Sequence, residues 1–209
     1  MRLGIFGGTF NPIHVGHLRA AEEVREALGL DRVVFVPSAI PPHKELADGV
    51  DAGLRLAMVR GSIAGNDAFE VSSFEVDRPG PSYSVHTIEH YRGVTGSTPY
   101  FVLGQDAFNE IATWHMASRL FRLAHFAVMT RPGAPRHPLE KILPQGAPPF
   151  VERDARHVNE HGNEIVYVEV TRYEVSSSMI RSLVRGGKSI RYLVTDAVRD
   201  IINAERIYQ

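Results

Sequence analysis

The chain has 209 residues, of which 44% are hydrophobic and 22% charged, with a formal net charge of −1. That is ordinary globular composition, with enough chain for one sizeable α/β core, and the balanced charge excludes bulk electrostatic binding of nucleic acid or an acidic membrane surface. Cysteine is absent, which excludes disulfides, thiolate metal sites and a cysteine nucleophile together. No signal-peptide pattern precedes the first motif and no apolar run reaches the roughly 20 residues of a membrane span, so a cytoplasmic protein is expected.

In chain order, "LGIF" (3–6) reads as a buried strand halted by Gly7-Gly8. Val15, Leu18, Ala21, Val24 and Leu28 fall at helical spacing, with Gly29 as the stop. "RVVFVP" (32–37) suits the middle of a parallel sheet, completing a βαβ unit. "GLRLAMVRGSI" (53–63) predicts a helix, "FEVSSFEV" (69–76) a strand region and "SVHTIEHYRG" (84–93) a helix. "PYFVLG" (99–104) follows as a strand, "ASRLFRL" (117–123) as a helix and "HFAVMTRPG" (125–133) as a strand. Residues 132–163, rich in Pro, Gly and His, predict a variable loop with a short helix. "EIVYVEV" (164–170) reads as the last strand, and helices at 177–187 and 194–204 close the chain. The alternation implies a Rossmann-like, doubly wound parallel sheet with helices on both faces, in a single domain spanning 1–209 whose C-terminal helices begin near 175.

"GGTFNPIHVGH" (7–17) leaves the first strand at its carboxyl end and enters a helix N-terminus, where ligands of open sheets bind and unpaired N–H groups favour anions. It is neither a P-loop, lacking Gly-Lys-Ser/Thr, nor a G-x-G-x-x-G dinucleotide loop. His14 and His17 share one helical face. Imidazoles there can donate hydrogen bonds to phosphate and, when protonated, neutralise charge in a transition state. The alternative is that one caps the helix and the other packs. "VSSSMIRSLVRGG" (175–187) places Ser176, Ser177 and Ser178 at a second helix start, with Arg181 one turn in. One serine suffices as a cap; three, with an arginine, suit an anion.

"GTFNPIHVGH" resembles the nucleotidyltransferase signature GTFDPxHxGH, and "SSSMIR" is similar to that superfamily's ISSTxIR, with Ser178 in place of Thr. The resemblance implies attack of a bound phosphate on the α-phosphorus of a nucleoside triphosphate. His14 and His17 would then be catalytic, with Gly7, Gly8, Thr9, Phe10, Ser176, Ser177, Ser178 and Arg181 binding ATP. "PPHK" (41–44), "PSYSVHT" (81–87), "GQD" (104–106) and "TWH" (113–115) resemble segments of the bacterial nicotinate-nucleotide adenylyltransferases. They imply a mononucleotide site of His43, Lys44, Ser82, Tyr83, Ser84, Thr87, Gly104, Asp106, Trp114 and His115. In it Asp106 would hold the ribose, Trp114 would stack on the pyridine, and the helix start near Ser84 would face the carboxylate.

The activity so implied is AMP transfer from ATP to nicotinate mononucleotide, giving deamido-NAD and pyrophosphate in NAD biosynthesis. Mg²⁺ would be held mainly by the phosphates and water, with no protein metal site. A homo-oligomer is compatible with this reading, and neither nucleic acid nor membrane is an expected partner. Nicotinamide mononucleotide or phosphopantetheine as acceptor is the nearest alternative, and a non-catalytic nucleotide sensor another. "HVNEH" (157–161) also fits the H-x-x-E-H pattern of a helical zinc site, set against by its polar, short surroundings.

Overall fold

The computed structural model describes residues 1–42 and 49–209. Among these, eight strands form one sheet in the order β3-β2-β1-β4-β5-β8-β7-β6. The strands are β1 (Leu3–Gly8), β2 (Arg32–Pro37), β3 (Phe69–Val71), β4 (Tyr100–Gly104), β5 (His125–Thr130), β6 (Phe150–Arg153), β7 (Arg156–Asn159) and β8 (Glu164–Glu169). Pairings from β3 through to β8 are parallel, and the β6–β7 and β7–β8 pairings are antiparallel. The order 3-2-1-4-5 is that of a doubly wound Rossmann sheet, with strand order reversing between β1 and β4, so the α/β expectation holds, with an antiparallel hairpin added at one edge.

Period-two burial sorts the strand side chains onto two apolar layers. Phe6, Val33, Phe35, Val102 and Ala127 face one side, where α1 (Val15–Leu28), α2 (Ala52–Ile63), α8 (Ser177–Arg185) and α9 (Asp196–Ala204) supply Val24, Met58, Ile180 and Val198. Leu3, Ile5, Val34, Phe101 and Phe126 face the other. There α4 (Ser84–Thr95), α5 (Gln105–Asn109), α6 (Ala117–Leu123) and α7 (Leu139–Ile142) supply Ile88, Phe108, Phe121 and Ile142. Fully buried Phe35, Phe108 and Phe126 each contribute roughly 2–3 kcal/mol of apolar burial. Helix α1 keeps its expected limits, and Gly29 terminates it with φ 57°.

Three expectations are corrected. Gly7 and Gly8 do not halt β1; they pair in register with Val36 and Pro37, and that ladder outweighs glycine's entropy cost. The 69–76 region is strand only at Phe69–Val71, after which Phe74–Asp77 turns into the short helix α3. Residues 132–163 contain the expected short helix, α7, but also β6 and β7, so this stretch widens the sheet.

Candidate active site

The first loop leaves β1 beside the carboxyl end of β2. Phe10 takes a left-handed backbone, φ 47°, and its buried ring packs on Phe6 and Phe35. A Cβ on Gly8 would stand 2.8 Å from that ring. The glycine at position 8 is therefore explained by Phe10 folding over it, and Phe10 can meet a ligand only through its backbone. His14 caps α1, and the first helical N–H, of Val15, donates to the Leu193 carbonyl at 3.0 Å.

The two histidines lie face to face, ring centroids 3.7 Å apart and planes at 26°. His17 Nδ1 accepts the backbone N–H of His14 at 3.2 Å, which puts the proton of a neutral His17 on Nε2. Its ring meets Phe10 edge to face at 5.3 Å. His14 Nδ1 is buried without a hydrogen-bond partner among the described residues. Burial lowers the His14 pKa to about 4. Burial, and secondly the neighbouring His14, hold His17 well below the usual histidine range. Both imidazoles are therefore neutral at pH 7 in the free protein, as N–H donors instead of the charge-neutralising imidazolium the sequence allowed for.

The C-terminal motif docks on this loop. Ser176 caps α8, its Oγ accepting from the Met179 N–H at 3.2 Å. The Ser177 hydroxyl donates to the Pro12 carbonyl at 2.8 Å, and Arg181 Nη1 donates to the Asn11 carbonyl at 2.8 Å. Ser178 and Ser176 share a hydroxyl contact of 3.0 Å. A Cβ on Gly16 would lie 3.0 Å from Val175 and 3.1 Å from His14 Nδ1, so the small residue between the histidines lets the two motifs close. Ser177 and Arg181, which the resemblance assigned to ATP, thus fasten the histidine loop.

The loops after β2 and β4, the strands on either side of β1, emerge at the same carboxyl end of the sheet. His43 and Lys44 lie outside the described residues. Ser82 joins the α3–α4 connection to the β2 loop: its Oγ accepts the Ala39 N–H at 2.9 Å and its N–H donates to the Ile40 carbonyl at 2.9 Å. Thr87 is 1% exposed and its hydroxyl donates to buried Glu75, whose carboxyl is pushed upward by burial. Thr87 is therefore committed inside, tying α4 to α3, and is removed from the ligand-facing set. Tyr83 stacks on exposed His115, ring centroids 4.1 Å apart. Half-buried Trp114 stands edge-on to Phe101 at 6.0 Å. Gly104 caps α5, and Asp106 is exposed in its first turn. The Tyr83–His115 stack brings the start of α4 beside the segment that carries Trp114, and Gly104 ends β4, the neighbour of β1, with Asp106 following in α5.

A cytidylyltransferase-like family model matches residues 5–183. Proteins of Geotalea daltonii and Trichlorobacter lovleyi, both described as "probable nicotinate-nucleotide adenylyltransferase", are 42% and 43% identical over 212 aligned residues. Each alignment covers 100% of this chain, and 98% and 100% of the respective relative. The chain belongs to the nicotinate-nucleotide adenylyltransferase family. A solved nicotinic acid mononucleotide adenylyltransferase of Plasmodium falciparum, complexed with NaAD, superposes with a TM-score of 0.74. At 15% identity, covering 99% of this chain and 97% of that one, it supports the shared fold.

Within this adenylyltransferase-family chain, the remote alternative of a helical zinc site at 157–161 does not fit, because the segment is not a helix. His157 and Asn159 lie on strand β7, Glu160 and His161 follow in a turn, and no group of three metal-ligating side chains forms among the described residues. No described helix is long and apolar enough to cross a membrane. Sequence reasoning missed Arg55, which is fully buried on α2. Its guanidinium donates to the carbonyls of Thr9 (2.8 Å), Ser38 (2.6 Å), Ala39 (3.1 Å) and Val50 (3.3 Å). It joins the first loop to both ends of the β2 loop. The available signal was a lone arginine within the apolar run "LRLAMV".

The neutral histidines make the fold acid-sensitive. The unfolded chain takes up protons near pH 6.5 that folded His14 refuses until about pH 4, so more protons are bound unfolded and stability rises with pH through this window. Lowering the pH from about 7 to about 4.5 is expected to remove roughly 2–3 kcal/mol through His14 alone. Urea unfolding of the wild type and His14→Asn at both pH values checks this. An identical pH dependence in the two proteins contradicts it.

Proposed function

We propose that this protein transfers AMP from ATP to nicotinate mononucleotide, releasing pyrophosphate and forming deamido-NAD. The observation that carries the reading is the docking of Ser177 and Arg181 onto Pro12 and Asn11, which joins "SSSMIR" to the histidine loop at one edge of the sheet. The names of the full-length relatives agree with it. An oxygen of the acceptor's phosphate forms a bond to the α-phosphorus of ATP. The bond from that phosphorus to the oxygen bridging to the β-phosphorus breaks, and pyrophosphate leaves with the electron pair. No protein nucleophile is needed, so the protein's part is alignment and stabilisation of oxygen charge.

The Nε2–H of His17 and the ring of His14 would donate to the phosphate oxygens on which charge develops, in a partly dry site where such bonds are strongest. The start of α8 and Arg181 would hold the triphosphate. Mg²⁺ would arrive as the ATP complex, held by phosphate oxygens and water. The acceptor would lie between the start of α4, Asp106 and Trp114, with a pyridine ring stacked on the indole. Trp114→Ala is expected to raise the KM for the mononucleotide about tenfold with a smaller effect on ATP. A defect confined to ATP refutes the stacking role.

Pyrophosphate release with Mg·ATP and, separately, nicotinate mononucleotide, nicotinamide mononucleotide and phosphopantetheine tests the reading. The expected result is turnover with nicotinate mononucleotide exceeding the other two by about 100-fold or more in kcat/KM. Preference for either rival overturns it.

A further inference from the structure

We propose that Tyr208 is a positioning residue for the histidine loop, setting the conformation of Asn11 from beneath. The assignment rests on the proposed transferase reading for its kinetic consequence, but not for its structural one. Asn11 sits in the middle of the loop, 4% exposed, and its side-chain Oδ1 accepts the Tyr208 hydroxyl. Its backbone carbonyl is held by Arg181, and its neighbour Pro12 by Ser177. The Thr9 carbonyl is held by Arg55, which lies within electrostatic range of the same Tyr208 phenol. The carbonyls of Thr9, Asn11 and Pro12 are thus held by residues distant in the chain, and Tyr208 adds a distant contact to a loop side chain.

The backbone supports a specific purpose for this contact. Arg206 and Tyr208 both adopt left-handed conformations, φ 51° and 66°, returning the chain after α9 to the core. Such a conformation is unfavourable for a residue with a side chain, so the turn persists because its contacts hold it. The Tyr208 ring is buried in the same apolar layer as Phe6 and Phe10, and the ring alone would satisfy packing. The hydroxyl adds direction. It orients the amide of Asn11, and so the backbone that carries the chain from Thr9 to His14. A loop only fractionally in its competent form loses transfer rate in proportion.

The test uses Tyr208→Phe, which keeps the buried ring and removes only the hydroxyl. Amide hydrogen exchange in the absence of substrates is expected to quicken about tenfold at residues 9–11 and 13–14, with the central strands unchanged. With ATP and nicotinate mononucleotide, kcat is expected to fall about tenfold while the mononucleotide KM stays within about twofold. The Asn11→Ala variant and the Tyr208→Phe/Asn11→Ala double variant should then show equal kcat, because the hydroxyl acts through Asn11. Unchanged exchange at 9–14, or kcat effects that multiply in the double variant, overturns the proposal. Wild-type turnover reports separately on the transferase reading, and the exchange measurement decides the Tyr208 assignment whatever that turnover is.

Discussion

Replacing His17 by alanine is expected to lower kcat by about 100-fold or more while the KM for ATP changes less than about threefold. His17 Nδ1 is occupied by the His14 backbone N–H, so the side chain has one orientation and one outward donor, Nε2–H. Phe10 and Phe6 flank the ring, and His14 covers its face, which fixes the donor before substrate arrives and excludes water from around it. A donor so placed is worth most where negative charge grows, and charge grows on the oxygens of the α-phosphorus only as transfer proceeds. Its loss should therefore appear in kcat. His17→Gln, which can return an N–H near the Nε2 position, should recover part of the rate. Steady-state kinetics on both variants checks this, and an unaltered kcat in His17→Ala removes His17 from the transfer step.

The second large effect is on stability. Arg55→Met is expected to cost roughly 3 kcal/mol, lowering Tm by about 6–12 °C. Methionine fills much of the same volume but leaves the carbonyls of Thr9, Ser38, Ala39 and Val50 without their shared donor. Relief from burying the guanidinium, whose pKa is itself lowered by desolvation, offsets part of this loss. The carbonyls prevail because four bonds are lost for one charge relieved. Arg55→Lys keeps the charge with fewer bonds and should fall between the two. Thermal and urea unfolding measure the series, and a Met variant as stable as the wild type contradicts this role for Arg55.

These residues also show what the sequence could and could not reveal. Helix α1 was legible to the residue because its apolar spacing and Gly29 agree. The His14–His17 pair was legible as neighbouring rings at a helix start because of its three-residue spacing behind the glycines. Its neutrality was not, since that follows from Phe10 turning back onto His17. The β6–β7 hairpin escaped because both strands are short and largely polar. Its turn uses Asp154 and Ala155 at φ 48° and 61°, where Asn-Gly or Asp-Gly would have announced it. Thr87 was misassigned because only the fold brings buried Glu75 to its hydroxyl. The roles of Arg55 and Tyr208 were hidden for the same reason, although the lone arginine in its apolar run marked Arg55 as unusual: their partners are loop groups distant in sequence.

The proposed transfer requires that the acceptor's phosphate attack the α-phosphorus of ATP. Incubating the protein with Mg²⁺, nicotinate mononucleotide and ATP labelled at the α-phosphorus tests it most directly. Label is expected in the dinucleotide product, in step with unlabelled pyrophosphate. Label recovered in ADP, or unlabelled orthophosphate released in place of pyrophosphate, would contradict it.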